Sequence, residues 1–211
     1  MDVIITKWSE QRRWDYKSAR AAARRIEHPE FVPLGQCIAD ATVLVDPRRD
    51  PTHEWPVYGV NNVNGVFFSH LQSGADFNSN YKRIKKDWFF HNPTRANVGS
   101  LGRVPEVPED AITSPEYQVW RVVEHFSEDF IEVLLRTPFF LELIDRHRVG
   151  AVKERLFTAN LMEITVPRLA QELQEEIVRE VHNCREILRD AEKMLRSAEE
   201  KAAARISESM G

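Results

Sequence analysis

From Arg168 to Met210 no glycine or proline interrupts the chain, and that run constrains the fold more than any other feature. Apolar or small residues at Val181, Cys184, Leu188, Ala191, Leu195, Ala198 and Ala202 recur in steps of three and four, the seam of a heptad-repeat helix. Leu173 and Ile177 lead into it with a four-residue step, a local stutter. A helix of about 40 residues is on the order of 60 Å long, too long to pack wholly against one small domain. The seam is therefore expected to meet a partner helix, and its alanines favour close approach. The alternative is a helix folded back over its own domain.

Upstream the pattern changes. "DVIITKW" alternates weakly and "SEQRRWDYKSARAAARRIE" reads as a short helix ending before "HPEFVP". From "FVPLGQCIADATVLV" to "PVYGVNNVNGVFF", short β-branched and aromatic runs are separated by Pro, Asp and Asn-Gly turns, with "NNVNG" as a tight turn between strands. "DWFF", "ANVG", "GRVPEV" and "YQVWRVV" continue as strands. "SEDFIEVLLRTPFFLELIDRHRVG" supplies two helices, with Ser127 as N-cap, Pro138 as the break and Gly150 as terminator. "LMEITVP" reads as a strand closed by Pro167. The expected class is α+β: an N-terminal strand and helix over residues 1–26 packing on the domain or arm, a β-rich domain over 27–166, and a coiled-coil arm over 167–211.

A chain of 211 residues accommodates this layout. Cys37 and Cys184 stand far apart with no metal-like spacing, so a cytoplasmic protein without a disulfide framework is expected. The N-terminus has no signal-peptide pattern and no apolar run is long enough for a membrane span, so no membrane partner is expected. The net charge of −4 argues mildly against nucleic acid, but the distribution does not. Residues 81–103 hold Lys82, Arg83, Lys85, Lys86, Arg95 and Arg103 against Asp87 alone. A basic stripe on an acidic domain marks a docking surface for a polyanion, because local potential matters more than the total.

No catalytic constellation is visible. Phosphate-loop and dinucleotide glycine patterns are absent, and His70, His91, His125, His147 and His182 are scattered. Asp145 and His147 lie two apart in a helical stretch, where they face different sides. Cys184 falls on the apolar seam. "NPTR" lacks the second proline and the aromatic residue of the motif with which amino-methyltransferases hold a flipped base. The chain is expected to be no enzyme and to need no cofactor or metal.

"PVYGVNNVNGVFF", "NPTRANVGSLGRVPEVPEDAITSPEYQVWRV", "SEDFIEVLLRTPFFLELI" and "GAVKERLFTANLMEITVPRLAQELQEEI", in that order, resemble the specificity subunits of type I restriction-modification systems. "RWDYKSA" resembles the entry of their target-recognition domains. The junction "PRLAQELQEEI" departs from the family, which has a second proline and a Glu-Gln pair there. The resemblance also covers one recognition domain and one helical region where full subunits carry two of each. It implies a half-length subunit that pairs through antiparallel helical arms into a C2 homodimer, with Ile177 and the seven seam residues at the interface. It further implies double-stranded DNA as ligand, methyltransferase subunits as partners, and a restriction subunit as a further partner.

On that reading Lys82, Arg83, Lys85, Lys86 and Arg103 meet phosphates. Asn92, Arg95, Asn97 and Ser100 face base edges, as asparagine suits adenine and arginine suits guanine. Asn61 and Asn62 form a second candidate loop, Gly99 and Gly102 shape the backbone, and Trp88, Tyr117 and Trp120 are core aromatics. Three function classes remain open: a recognition module for a restriction-modification methyltransferase, a target-recognition protein of another defence complex, and a coiled-coil adaptor that binds no DNA.

Overall fold

A computed structural model describes residues 31–209. The segment 1–26, expected as a strand and helix, lies outside the described residues. The chain divides into one unit ending at Leu169 and another beginning at Ala170.

The first unit carries eleven strands among its described residues. In the first sheet, β1 (Phe31–Pro33) pairs antiparallel with β11 (Thr165–Pro167). A four-stranded sheet runs β2 (Ile38–Asp40), β10 (Gln118–Val122), β7 (Phe89–His91), β8 (Leu101–Arg103), all antiparallel. A five-stranded sheet runs β3 (Leu44–Val45), β6 (Tyr81–Arg83), β9 (Ile112–Thr113), β4 (Glu54–Asn61), β5 (Gly65–Ser73). Its one parallel pair is β4 with β9.

Val60 of β4 meets Phe90 and Val119 of the four-stranded sheet in one core, closed by Ala41, Ile84, Val104 and Ala111. Tyr117 stacks on Phe90, their centroids 5.7 Å apart, and Trp120 stacks on Phe89 at 4.7 Å. These aromatics are framework, with Trp88 half-buried against the same core.

Two helices follow the strands as the capping residues dictate. Ser127 Oγ accepts from the Phe130 amide at 3.1 Å, starting α1 (Glu128–Leu135). Thr137 Oγ1 accepts from the Phe140 amide at 3.2 Å, and Pro138 takes the first helical position of α2 (Pro138–His147), where its missing N–H costs nothing. Phe130, Ile131, Phe140 and Ile144 are their buried anchors.

Two local readings are corrected. "ANVG" is not a strand but a 3-10 turn over Ala96–Val98, because Gly99 takes φ +89° and reverses the chain before it can extend. "LMEITVP" begins inside a short helix, α3 (Thr158–Met162), whose amides turn back onto the Phe157 carbonyl, so only Thr165–Pro167 pairs as a strand.

The second unit holds one helix, α4 (Gln171–Ser209), 39 residues without a break. Among its side chains Ile187, Leu188, Met194, Leu195 and Ile206 are exposed. The α+β class with a long C-terminal helix is the observed one. No described helix is long and apolar enough to cross a membrane.

Candidate nucleic-acid interface

Two turns build the surface. At the β4–β5 tip the Asn61 carboxamide oxygen accepts from the amides of Val63 (2.9 Å) and Asn64 (2.7 Å), and Gly65 takes φ +64° to re-enter the sheet. The turn thus satisfies its own backbone. It leaves Asn62, Val63 and Asn64 exposed, with Val63 at 79%.

In the second turn Asn92 Oδ1 accepts from the backbone and side chain of Thr94 (3.1 and 2.9 Å), and the Asn92 amide donates to Ser100 O at 3.0 Å. The Ser100 amide returns to Arg95 O at 3.1 Å. The turns touch: a Cβ placed on Gly99 would stand 3.4 Å from Asn62 Cβ. α1 reaches the same corner through its C-cap, since a Cβ on Gly65 would stand 2.6 Å from Arg136 Nη2.

The expected site residues divide sharply. Lys82 is buried, and its ammonium donates to the Tyr117 carbonyl at 2.6 Å. Burial holds its pKa below the usual lysine value against the pull of Asp40 and Glu116. It ties β6 to the turn that leads into β10 and is not placed to meet a phosphate. Ser100 is buried at 4% exposure, so its hydroxyl does not reach a base edge. Arg103 is enclosed by carboxylates: Asp87 at 2.6 Å, Glu132 at 3.7 Å, and a short contact with Asp129. Its charge is spent inside the domain.

Asn97 donates to Asp145 Oδ1 at 3.1 Å, the oxygen that Arg148 also holds at 2.9 Å, so its amide pins the turn to α2. Asn61 and Asn92 cap their own turns. Arg83 donates to the Glu109 carbonyl at 2.6 Å and lies over the Trp55 ring at 5.8 Å.

Four of the expected residues keep outward chemistry. Lys86 is exposed and pairs with the exposed Glu106 at 2.6 Å, a solvated contact that a phosphate readily replaces. Lys85 is exposed with its ammonium 5.5 Å from the Trp88 ring centroid, and Arg95 is exposed with no ion pair among the described residues. Asn62 completes the set at the hairpin tip.

A separate cavity of about 580 Å³ is lined by Leu44, Asp46, Arg49, His53, Trp55 and Arg83. Among the described residues no group of three His, Cys, Asp or Glu side chains is placed to hold a metal.

No protein-family model matches the chain, and no curated protein matches its sequence. Solved structures do. The HsdS subunit from Thermoanaerobacter tengcongensis superposes with a TM-score of 0.64 at 20% identity, over 79% of this chain and 45% of that one. A structure described as the basis of complex assembly and conformational transition of the type I R-M system gives 0.64 at 20% identity, over 78% of this chain and 44% of that one.

The fold is that of an HsdS subunit.

The chain spans less than half the length of either HsdS-fold relative. On this HsdS-type framework Arg136 and Val63 are the surface residues that sequence reasoning misses. Val63 hides inside a hairpin signal, where only the flanking asparagines draw notice. Arg136 sits in a helix-terminating Arg-Thr-Pro, a purely local signal, and only the tertiary fold carries it to the β4–β5 tip.

Proposed function

We propose that this chain is a DNA-recognition subunit of a restriction-modification methyltransferase of the type I kind. The observation that carries the reading is the likeness of most of the chain to less than half of an HsdS subunit. The exposed seam of α4 supports the pairing of two copies: Leu188 and Leu195 are each 60% exposed in the single chain, an apolar face left uncovered among the described residues. Two copies joined through Ile177, Val181, Cys184, Leu188, Ala191, Leu195, Ala198 and Ala202 form a symmetric dimer that presents two identical recognition domains. Its target is then two inverted copies of one half-site.

In this reading the domain binds duplex DNA with Lys85 and Lys86 on phosphates and Arg95 and the turn residues toward the bases. A methyltransferase subunit supplies the chemistry, and this chain supplies its address.

The test has two arms. The purified chain is titrated with random-sequence duplex DNA over a range of salt, and the reading expects affinity to fall steeply with salt. Co-expression with a DNA methyltransferase subunit of the type I kind is expected to yield a stable complex that methylates one bipartite sequence. Salt-independent or absent binding in both the lone chain and the complex overturns the reading in favour of an adaptor.

A further inference from the structure

The β4–β5 tip and the end of α1 form one continuous surface, and its chemistry differs from that of the basic run at residues 82–86. The tip presents two carboxamides, Asn62 and Asn64, on either side of the exposed Val63. Its backbone groups at Val63 and Asn64 are already satisfied by Asn61, so these side chains are free of structural duty. Beside them, Nη2 of Arg136 fills the space that a side chain at position 65 would need, 2.6 Å from the ideal Cβ. Gly65 is required by its φ of +64°, and the guanidinium end of the Arg136 side chain lies over it. Arg136 is exposed and has no carboxylate partner among the described residues. Arg103 on the adjoining β8 is the contrast, held by Asp87, Asp129 and Glu132.

We infer that Arg136 is a specificity-determining residue and acts as one unit with Asn62, Val63 and Asn64. The hairpin tip enters the major groove, and Arg136 reads a guanine edge next to the base pairs read by the tip. This rests on the DNA-recognition reading above. A two-stranded ribbon fits the major groove, asparagine suits adenine, a branched apolar side chain suits the thymine methyl, and arginine suits guanine O6 and N7. The set contains all three kinds of contact within one turn and the helix end that reaches Gly65. The basic run, by comparison, offers charge without a base-shaped pattern of donors and acceptors.

The test is selection from a random duplex library by the full chain, alone or with its methyltransferase, followed by sequencing of the bound fraction. Unaltered protein, Arg136→Ala, Arg136→Lys, Asn62→Ala and Lys85→Ala are compared, each checked for an unchanged melting transition. The expected result is that Arg136→Ala and Arg136→Lys lose discrimination of about tenfold or more at one base pair. Asn62→Ala is expected to lose it at a neighbouring pair, and Lys85→Ala to bind more weakly with its sequence preference intact. An Arg136→Ala protein that keeps every preference overturns the inference, and so does one that binds uniformly more weakly, which makes Arg136 a phosphate contact. Failure of the unaltered protein to enrich any sequence overturns the recognition reading itself.

Discussion

Trp120 Nε1 donates to His91 Nδ1 at 3.2 Å, while His91 Nε2 donates to the Leu156 carbonyl at 2.9 Å. The two bonds admit only the neutral imidazole with its proton on Nε2, because a proton on Nδ1 would face the indole N–H. His91 is almost wholly buried, and burial pushes its pKa from 6.5 down to about 4, with the nearby Lys82 charge adding to the shift and the Leu156 carbonyl opposing it. The imidazole joins β7, β10 and the segment before α3, so its charge state bears on the whole first unit.

Stability should therefore depend on pH through this one group. The folded pKa lies below the unfolded one, so the stabilisation is complete above about pH 6.5 and is lost as pH falls toward 4. The loss is on the order of 3 kcal/mol over that window. Urea unfolding at pH 7 and pH 4.5 measures it, with His91→Gln as reference. An equal loss of stability on acidification in the variant would assign the effect elsewhere.

Arg103→Ala is expected to lower stability by about 1–3 kcal/mol, because Asp87, Asp129 and Glu132 are then left facing one another. Denaturant titration reads the cost. DNA affinity of the folded variant should stay at the parent value, and a selective loss of affinity at normal stability would mean that Arg103 faces outward when DNA is bound.

These two residues show where sequence reasoning stops. The β4–β5 hairpin, the Ser127 cap and the helix start at Pro138 are legible because each is specified within about four residues. The heptad run is legible because its period repeats. A cluster of cations between 82 and 103 looks uniform in one dimension, yet its members part once the sheet forms. Lys82 points into the domain toward Tyr117, Arg103 meets two acids from α1, and Lys85 stays in solvent. No short window of sequence contains those partners. The same holds for Arg136, whose place at the tip depends on how α1 packs against β8. "ANVG" misleads for the opposite reason: its β-branched residue suggests a strand, while the left-handed Gly99 decides the turn.

Gly99→Ala tests that turn. At φ +89° a side chain is strained, while its Cβ would make only van der Waals contact with Asn62 at 3.4 Å. A cost of about 1–2 kcal/mol is expected, read as a lower unfolding midpoint. Asn62→Gly in the same background should leave most of the deficit in place, because backbone strain and not the contact dominates.

The seam of α4 makes a separate prediction. Leu188→Glu combined with Leu195→Glu places charges at two apolar positions of one face, and sedimentation should show the proposed dimer converted to monomer. The folded first unit should keep its melting transition. A parent protein that already sediments as a monomer at micromolar concentration removes the homodimer from the proposed function.

Salt dependence separates the cations. Lys85→Ala should reduce the slope of log affinity against log salt by about one, whereas Lys82→Met should leave the slope unchanged. Equal slopes for Lys85→Ala and the parent would take Lys85 off the phosphate backbone.

The self-capped β4–β5 tip separates two kinds of inheritance. Its conformation resides in Asn61 and Gly65, and its outward chemistry resides in the three residues between them. Changes at 61 or 65 are filtered by folding, while changes at 62, 63 and 64 pass that filter and alter only what the tip can meet. Three adjacent codons can thus diverge between lineages while the sheet beneath them stays the same.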